Sequence, residues 1–210
     1  RILVQACGSL QEAHDAGLVH RDIKPANLML CRRGGEPDVV KVLDFGLVKE
    51  VGTDDQLTRA HAFLGTPLYA CPEALTSPDA VDARGDLYSL GAVAYYLVTG
   101  TPPFEGRTII DIGAKHLRET VPRPSERLGR EVPADLEDVI LACLAKNPAD
   151  RPASAAAVRD RLEACRDADA WTAEDADAWW AGHEDLLRRE ETRTLPSSDT
   201  LAVDLGGRSG

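Results

Sequence analysis

The stretch His20-Arg21-Asp22-Ile23-Lys24-Pro25-Ala26-Asn27 and, further on, Asp44-Phe45-Gly46 decide the reading of this chain. Both are polar, acid-bearing loops set between apolar runs. Upstream, Leu3, Ala6, Leu10 and Ala13 recur at three- and four-residue spacing and Gly17 follows, which predicts an amphipathic helix closed by a glycine cap. Between the two loops, the apolar runs 28–30 and 39–43 are separated by Arg32, Arg33, Gly34, Gly35 and Pro37, so two short strands joined by a turn are expected.

Beyond the loops the pattern is helical. Residues 86–99 are apolar on nearly every side, as in a helix buried in the middle of a domain. Amphipathic helices are expected at 108–117, 134–145 and 154–165, with connections marked by Pro122, Pro124, Pro133, Pro148 and Pro152. Residues 50–62 lack sustained periodicity and read as a surface loop long enough to carry function. The predicted fold class is α+β: mainly helical, with a short two-stranded β element beside the first loop. After Arg166 the composition turns to Asp and Ala, then to Ser, Thr, Gly and Leu, and the last dozen or so residues read as disordered.

Bulk properties narrow the function. A chain of 210 residues that is 43% hydrophobic can bury a core, and its net charge of -11 lacks the clustered cations that hold nucleic-acid phosphates. Cys7, Cys31, Cys71, Cys143 and Cys165 show no paired spacing, so neither zinc nor a disulfide framework is indicated, and reduced thiols in a cytoplasmic protein are expected. No apolar run approaches the roughly 20 residues of a membrane helix.

The order of His20-Arg21-Asp22, Lys24, Asn27 and Asp44-Phe45-Gly46 resembles the catalytic and metal-binding loops of the protein kinases. Gly65-Thr66-Pro67-Leu68-Tyr69-Ala70-Cys71-Pro72-Glu73 resembles the family segment that ends in Ala-Pro-Glu, with Cys71 in place of alanine. Asp86-Leu87-Tyr88-Ser89-Leu90-Gly91 is similar to the family's central helix, and Arg151-Pro152 to its late arginine, the partner of the glutamate matching Glu73. The resemblance covers residues 1–165 and implies the helical C-terminal lobe of the kinase fold. An acidic, tryptophan-containing helical extension is expected at 166–190 and a disordered tail at 191–210.

The resemblance implies an ATP-dependent serine/threonine kinase. Asp22 is then the catalytic base and Lys24 neutralises charge on the transferring phosphate; a lysine there resembles serine/threonine rather than tyrosine kinases. Asn27 and Asp44 offer hard oxygen ligands for Mg²⁺. Met29 corresponds to the floor under the adenine ring, with ordinary core packing the other reading. Thr53 and Thr58 are candidate activation-loop phosphosites whose phosphate would join Arg21, a cation otherwise expected to be buried. Thr66 is expected to touch Asp22 and Lys24 in the substrate-binding stretch. His20 is read as a brace for the metal-binding loop, and Asp86 as a helix N-cap or an anchor of the catalytic-loop backbone.

Cys71 invites a redox reading, against which stands a small packed residue. His14, His61, His116 and His183 are expected at the surface. Thr172 and Asp175 open a helix with Trp179, Trp180, Leu186 and Leu187 on its apolar stripe, which either docks on its own domain or binds a partner. Thr192, Thr194 and Thr200 are docking-site candidates within a terminus read as plain disorder. The chain opens at Arg1 in an already periodic pattern and reads as a fragment, because the glycine-rich loop, strand lysine and helix glutamate of a complete kinase do not precede His20. Alone it is expected to bind ATP poorly and catalyse little. The competing hypothesis is a non-catalytic kinase-like scaffold; intact Asp22, Lys24, Asn27 and Asp44 favour the enzyme.

Overall fold

The structure, a computed structural model, describes residues 1–45 and 67–194, with side chains through 183. Helix α1 (Ile2–Asp15) leads into strands β1 (Leu28–Arg33) and β2 (Glu36–Val42). There follow α2 (Pro72–Thr76), α3 (Ala83–Thr99), α4 (Ile109–Arg118), α5 (Pro124–Leu128), α6 (Ala134–Cys143), α7 (Ala155–Glu163) and α8 (Ala173–Thr194). The chain divides into two compact units, Arg1–Trp171 and Thr172–Gly210.

In the first unit every residue of α3 from Gly85 to Tyr95 is buried, as its all-round apolar sequence requires. A Cβ on Gly91 would lie 2.6 Å from the Cβ of Cys143, so only glycine lets α3 and α6 approach this closely. Leu10 of α1, Leu87, Leu90 and Val93 of α3, Ile140 of α6 and Val158 of α7 join in one core. Thr108 and Ser154 cap α4 and α7 through their hydroxyls, so the expected starts of these helices are the caps themselves. The proline-initiated α2 and α5 escaped periodicity because a helix of one turn shows no repeat.

The hairpin is antiparallel, with Leu28 opposite Val42 and Leu30 opposite Val40. Its turn is shorter than expected: Gly34 and Gly35, at φ +61° and +87°, close it alone, and Arg32, Arg33, Glu36 and Pro37 lie in the strands. Backbone pairing runs past the apolar residues because ladder hydrogen bonds do not depend on side-chain polarity. A register irregularity between Cys31 and Arg33 leaves one extra residue in β2, and Asp38 there adopts φ +58°. The Gln5 amide of α1 holds this bulge, donating to the Asp38 carbonyl (2.6 Å) and accepting from the Val40 N–H (3.1 Å). The Trp171 indole N–H donates to the Asp38 carboxylate at 2.7 Å.

In the second unit Thr172 and Asp175 form a reciprocal cap: the Asp175 carboxylate accepts from the Thr172 N–H (2.9 Å), and the Thr172 hydroxyl accepts from the Asp175 N–H (3.1 Å). The Trp179 ring stacks on His183 with centroids 4.3 Å apart. No helix among the described residues is long and apolar enough to cross a membrane.

Candidate active site

The loop after α1 is positioned from both ends. At its start, Gly17 (φ +77°) ends the helix in a Schellman turn, with the Leu18 N–H on the Ala13 carbonyl and the Gly17 N–H on that of His14. From below, the buried carboxylate of Asp86 accepts the His20 N–H (2.8 Å), the Arg21 N–H (2.7 Å) and the His14 imidazole (2.8 Å). Arg21 takes φ +66°, a conformation unfavourable for a side-chain-bearing residue that these charge-assisted bonds sustain. Asp86 is therefore an anchor of the loop, while the N-cap of α3 is Asp82, which accepts the Arg84 N–H at 2.9 Å.

His20 is buried and links the two loops. Its Nε2 donates to the Leu43 carbonyl at 2.8 Å, its Nδ1 accepts the Asp22 N–H at 3.3 Å, and its ring meets Phe45 edge-on with centroids 4.9 Å apart. These partners dictate the Nε2–H tautomer, since a carbonyl only accepts and an amide N–H only donates.

Asp22 presents a carboxylate that is 55% exposed. Lys24 Nζ donates to its Oδ2 at 2.7 Å and Asn27 Nδ2 at 3.2 Å, while the same Asn27 amide group donates to the Asp22 backbone carbonyl at 2.8 Å. The short 3₁₀ turn Pro25–Asn27 supplies this geometry, with proline pre-set at its first position. Both bonds come from Nδ2, and the Oδ1 of this buried amide is an acceptor. The Leu43 N–H donates to the Asn27 carbonyl at 2.9 Å, bringing Asp44, exposed and at φ +56°, beside Asn27. One charged and one neutral hard oxygen donor at adjoining positions fit a magnesium ion that keeps some of its waters.

Met29 is 41% exposed and lies opposite Lys41, outside the core of the described residues. Arg21 is exposed rather than buried, because its left-handed backbone turns the residue outward. Thr53, Thr58, Thr66 and His61 lie outside the described residues. His14 and His116 are corrections to the surface assignment. Each falls four residues after an apolar position of its helix, Leu10 and Ile112, so helical spacing places it on the buried stripe. His116 Nδ1 pairs with the Tyr88 hydroxyl at 2.8 Å, and burial, aided by Lys146, pushes its pKa down to about 4. Lys146, whose ammonium lies 4.5 Å from the Phe104 ring centre, gave no periodic signal in the sequence.

Beside the loop, the 3₁₀ turn Pro67–Tyr69 leads to Cys71 and Glu73. Cys71 is buried in the core, and that burial pushes its thiol up to about 12, which supports the packed-residue reading. Arg151 uses all five guanidinium N–H groups. It donates to both Glu73 oxygens (2.6 and 2.8 Å) and to the carbonyls of Arg84, Ala145 and Lys146.

A helical lobe that presents an exposed carboxylate, bonded to a lysine and to a buried amide on a pinned loop, is matched by a known family. The chain belongs to the protein kinase domain family, which residues 1–162 match. It is 46% identical over 169 residues to serine/threonine-protein kinase pkn3 of Myxococcus xanthus, covering 78% of this chain and 30% of that protein. It is 40% identical over 161 residues to serine/threonine-protein kinase PknB of Mycobacterium leprae, covering 77% and 25%. With serine/threonine-protein kinase Pkn1 of Myxococcus xanthus it shares 45% identity over 162 residues, covering 77% and 23%. The chain thus spans between 23% and 30% of the length of these relatives.

Proposed function

We propose that this lobe serves ATP-dependent transfer of the γ-phosphoryl group to serine and threonine hydroxyls of protein substrates. The observation that carries the reading is the exposed Asp22 carboxylate, bonded to Lys24 and Asn27 on a backbone anchored by Asp86. In the reaction the substrate hydroxyl oxygen bonds to the γ-phosphorus, the bond to the β,γ-bridging oxygen breaks, and ADP leaves. The hydroxyl proton passes to Asp22. Lys24, already within reach of Asp22, stabilises charge on the equatorial phosphate oxygens. Asn27 Oδ1 and Asp44 would hold magnesium, which neutralises the phosphates when bound.

Several further assignments belong to the same proposal. Met29 lies under the adenine, Thr53 and Thr58 accept activating phosphate near Arg21, and Thr66 meets the substrate. Residues 1–165 form the kinase lobe and 166–190 an extension available to partners, although the helix of that extension runs on to Thr194; residues 195–210, within the expected tail, lie outside the described residues, and the protein works in the cytoplasm.

The test uses the full-length gene product with Mg-ATP and a degenerate serine/threonine peptide pool. Asp22→Asn is expected to lower phosphate incorporation about 10²–10⁴-fold. Incorporation at the wild-type rate in that variant removes Asp22 from the role of base.

A further inference from the structure

Between the end of α7 and the end of the first unit, residues 164–171 form a strap pinned at two points. The Arg166 N–H donates to the Asp135 carboxylate of α6 at 2.7 Å, and two turns follow, the Ala168 N–H on the Cys165 carbonyl and the Ala170 N–H on that of Asp167. The last residue, Trp171, is 44% exposed, yet its indole N–H reaches the carboxylate of Asp38, a residue only 6% exposed, at 2.7 Å. A directed bond to a buried acid, rather than burial alone, fixes this tryptophan.

Asp38 is the point at which the register of β2 is set. From Glu36 to Val39 this strand holds one residue more than β1 does from Arg33 to Cys31, and Asp38 takes up the excess at φ +58°, unfavourable for a residue with a side chain. Of β2 only Asp38 and Val40 are buried, so the apolar signal for register is thin. Gln5 holds the Asp38 backbone and Trp171 its side chain. Strand alternation has a period of two, so releasing the extra residue would shift every later position of β2 to the opposite face. Those positions lead to Leu43, whose N–H bonds Asn27 and whose carbonyl takes His20, and then to Asp44. Resting on the kinase reading, we infer that Trp171 is a positioning residue for the magnesium site: its bond to Asp38 locks the bulge, and with it the register that sets Asp44 beside Asn27. It acts through β2 from outside the site.

The experiment titrates the full-length protein with Mg-ADP by calorimetry, without turnover, and follows amide exchange at Leu43. Trp171→Phe keeps an aromatic ring and removes the donor. Asp38→Ala removes the acceptor, whereas Asp38→Asn keeps an acceptor oxygen and tolerates the left-handed backbone. Trp171→Phe and Asp38→Ala are expected to weaken Mg-ADP binding about tenfold, the low end of what groups that orient metal ligands contribute. Both should speed exchange at Leu43 and raise KM for Mg-ATP, with kcat at saturating magnesium nearly unchanged, and Asp38→Asn should restore most of the affinity. Because Trp171 is half-exposed, its variant carries the test even where Asp38→Ala does not fold. Unchanged Mg-ADP affinity in Trp171→Phe, with or without a lower unfolding midpoint, reduces the bond to a structural tie and overturns the inference while the kinase reading stands. Asp38→Asn as damaging as Asp38→Ala overturns it as well. If the wild-type protein binds no Mg-ADP, both fall.

Discussion

Asp22–Lys24 and Glu73–Arg151 are the same kind of bond in opposite settings. The first closes at 2.7 Å and the second at 2.6 and 2.8 Å. Yet the Asp22 and Lys24 side chains are 55% and 24% exposed, whereas Arg151 is sealed at 0% and Glu73 at 14%. Water beside the open pair screens its attraction and leaves the carboxylate accessible to a substrate. Such pairs contribute about 0–1 kcal/mol to stability. Around the sealed pair the protein supplies an acceptor for every guanidinium N–H, and the Tyr88 ring covers the cation at 4.9 Å. Distance does not distinguish chemistry from scaffolding in this lobe; the surroundings do.

The largest effect is expected from Arg151→Ala, which strands Glu73 and three carbonyls. It should cost about 3–5 kcal/mol in urea unfolding at neutral pH. A loss no greater than that of an exposed pair breaks the comparison. Burial pushes the Glu73 carboxyl up, but the Arg151 bonds outweigh it and hold the group below its ordinary 4.5. Because the folded pKa is depressed, this stabilisation is present above the unfolded pKa and is lost as pH falls through the folded one. The Arg151→Ala variant should lack that part of the acid-side decline.

Asp86→Asn should cost about 2 kcal/mol, since two backbone N–H groups lose a charged acceptor. Faster amide exchange at His20 and Arg21 would locate the damage. Lys146→Met extends the comparison to a cation whose buried ammonium has no hydrogen-bond partner among the described residues. Burial, with Arg151 adding to it against Glu119, pushes Lys146 down to about 8 from 10.5. Between those values the unfolded chain binds more protons, so wild-type stability rises with pH in that window, and the methionine variant should flatten the rise. The smallest change in stability, under about 1 kcal/mol, is expected for Asp22→Asn, the variant proposed to lose the base. A large loss of stability there would erase the contrast between the two pairs.

The buried helix, the amphipathic helix ahead of the loop and the order of His20, Asp22, Lys24, Asn27 and Asp44 were legible from the residues alone. Periodicity records which face of an element is apolar, and a loop's chemistry is written in consecutive positions. Partners across the fold were not legible that way. Asp86 could be a cap or an anchor until the loop, 66 residues earlier in the chain, was seen to lie on its carboxylate. The Trp171 bond to Asp38 spans 133 residues. The Tyr88 hydroxyl that His116 meets lies 28 residues away, in another helix. The sequence by itself therefore determined the elements, the order of chemical groups and the family they resemble. Only the tertiary structure decided which polar groups are sealed and which stay open, because burial and hydrogen-bond partnership depend on where distant segments cross.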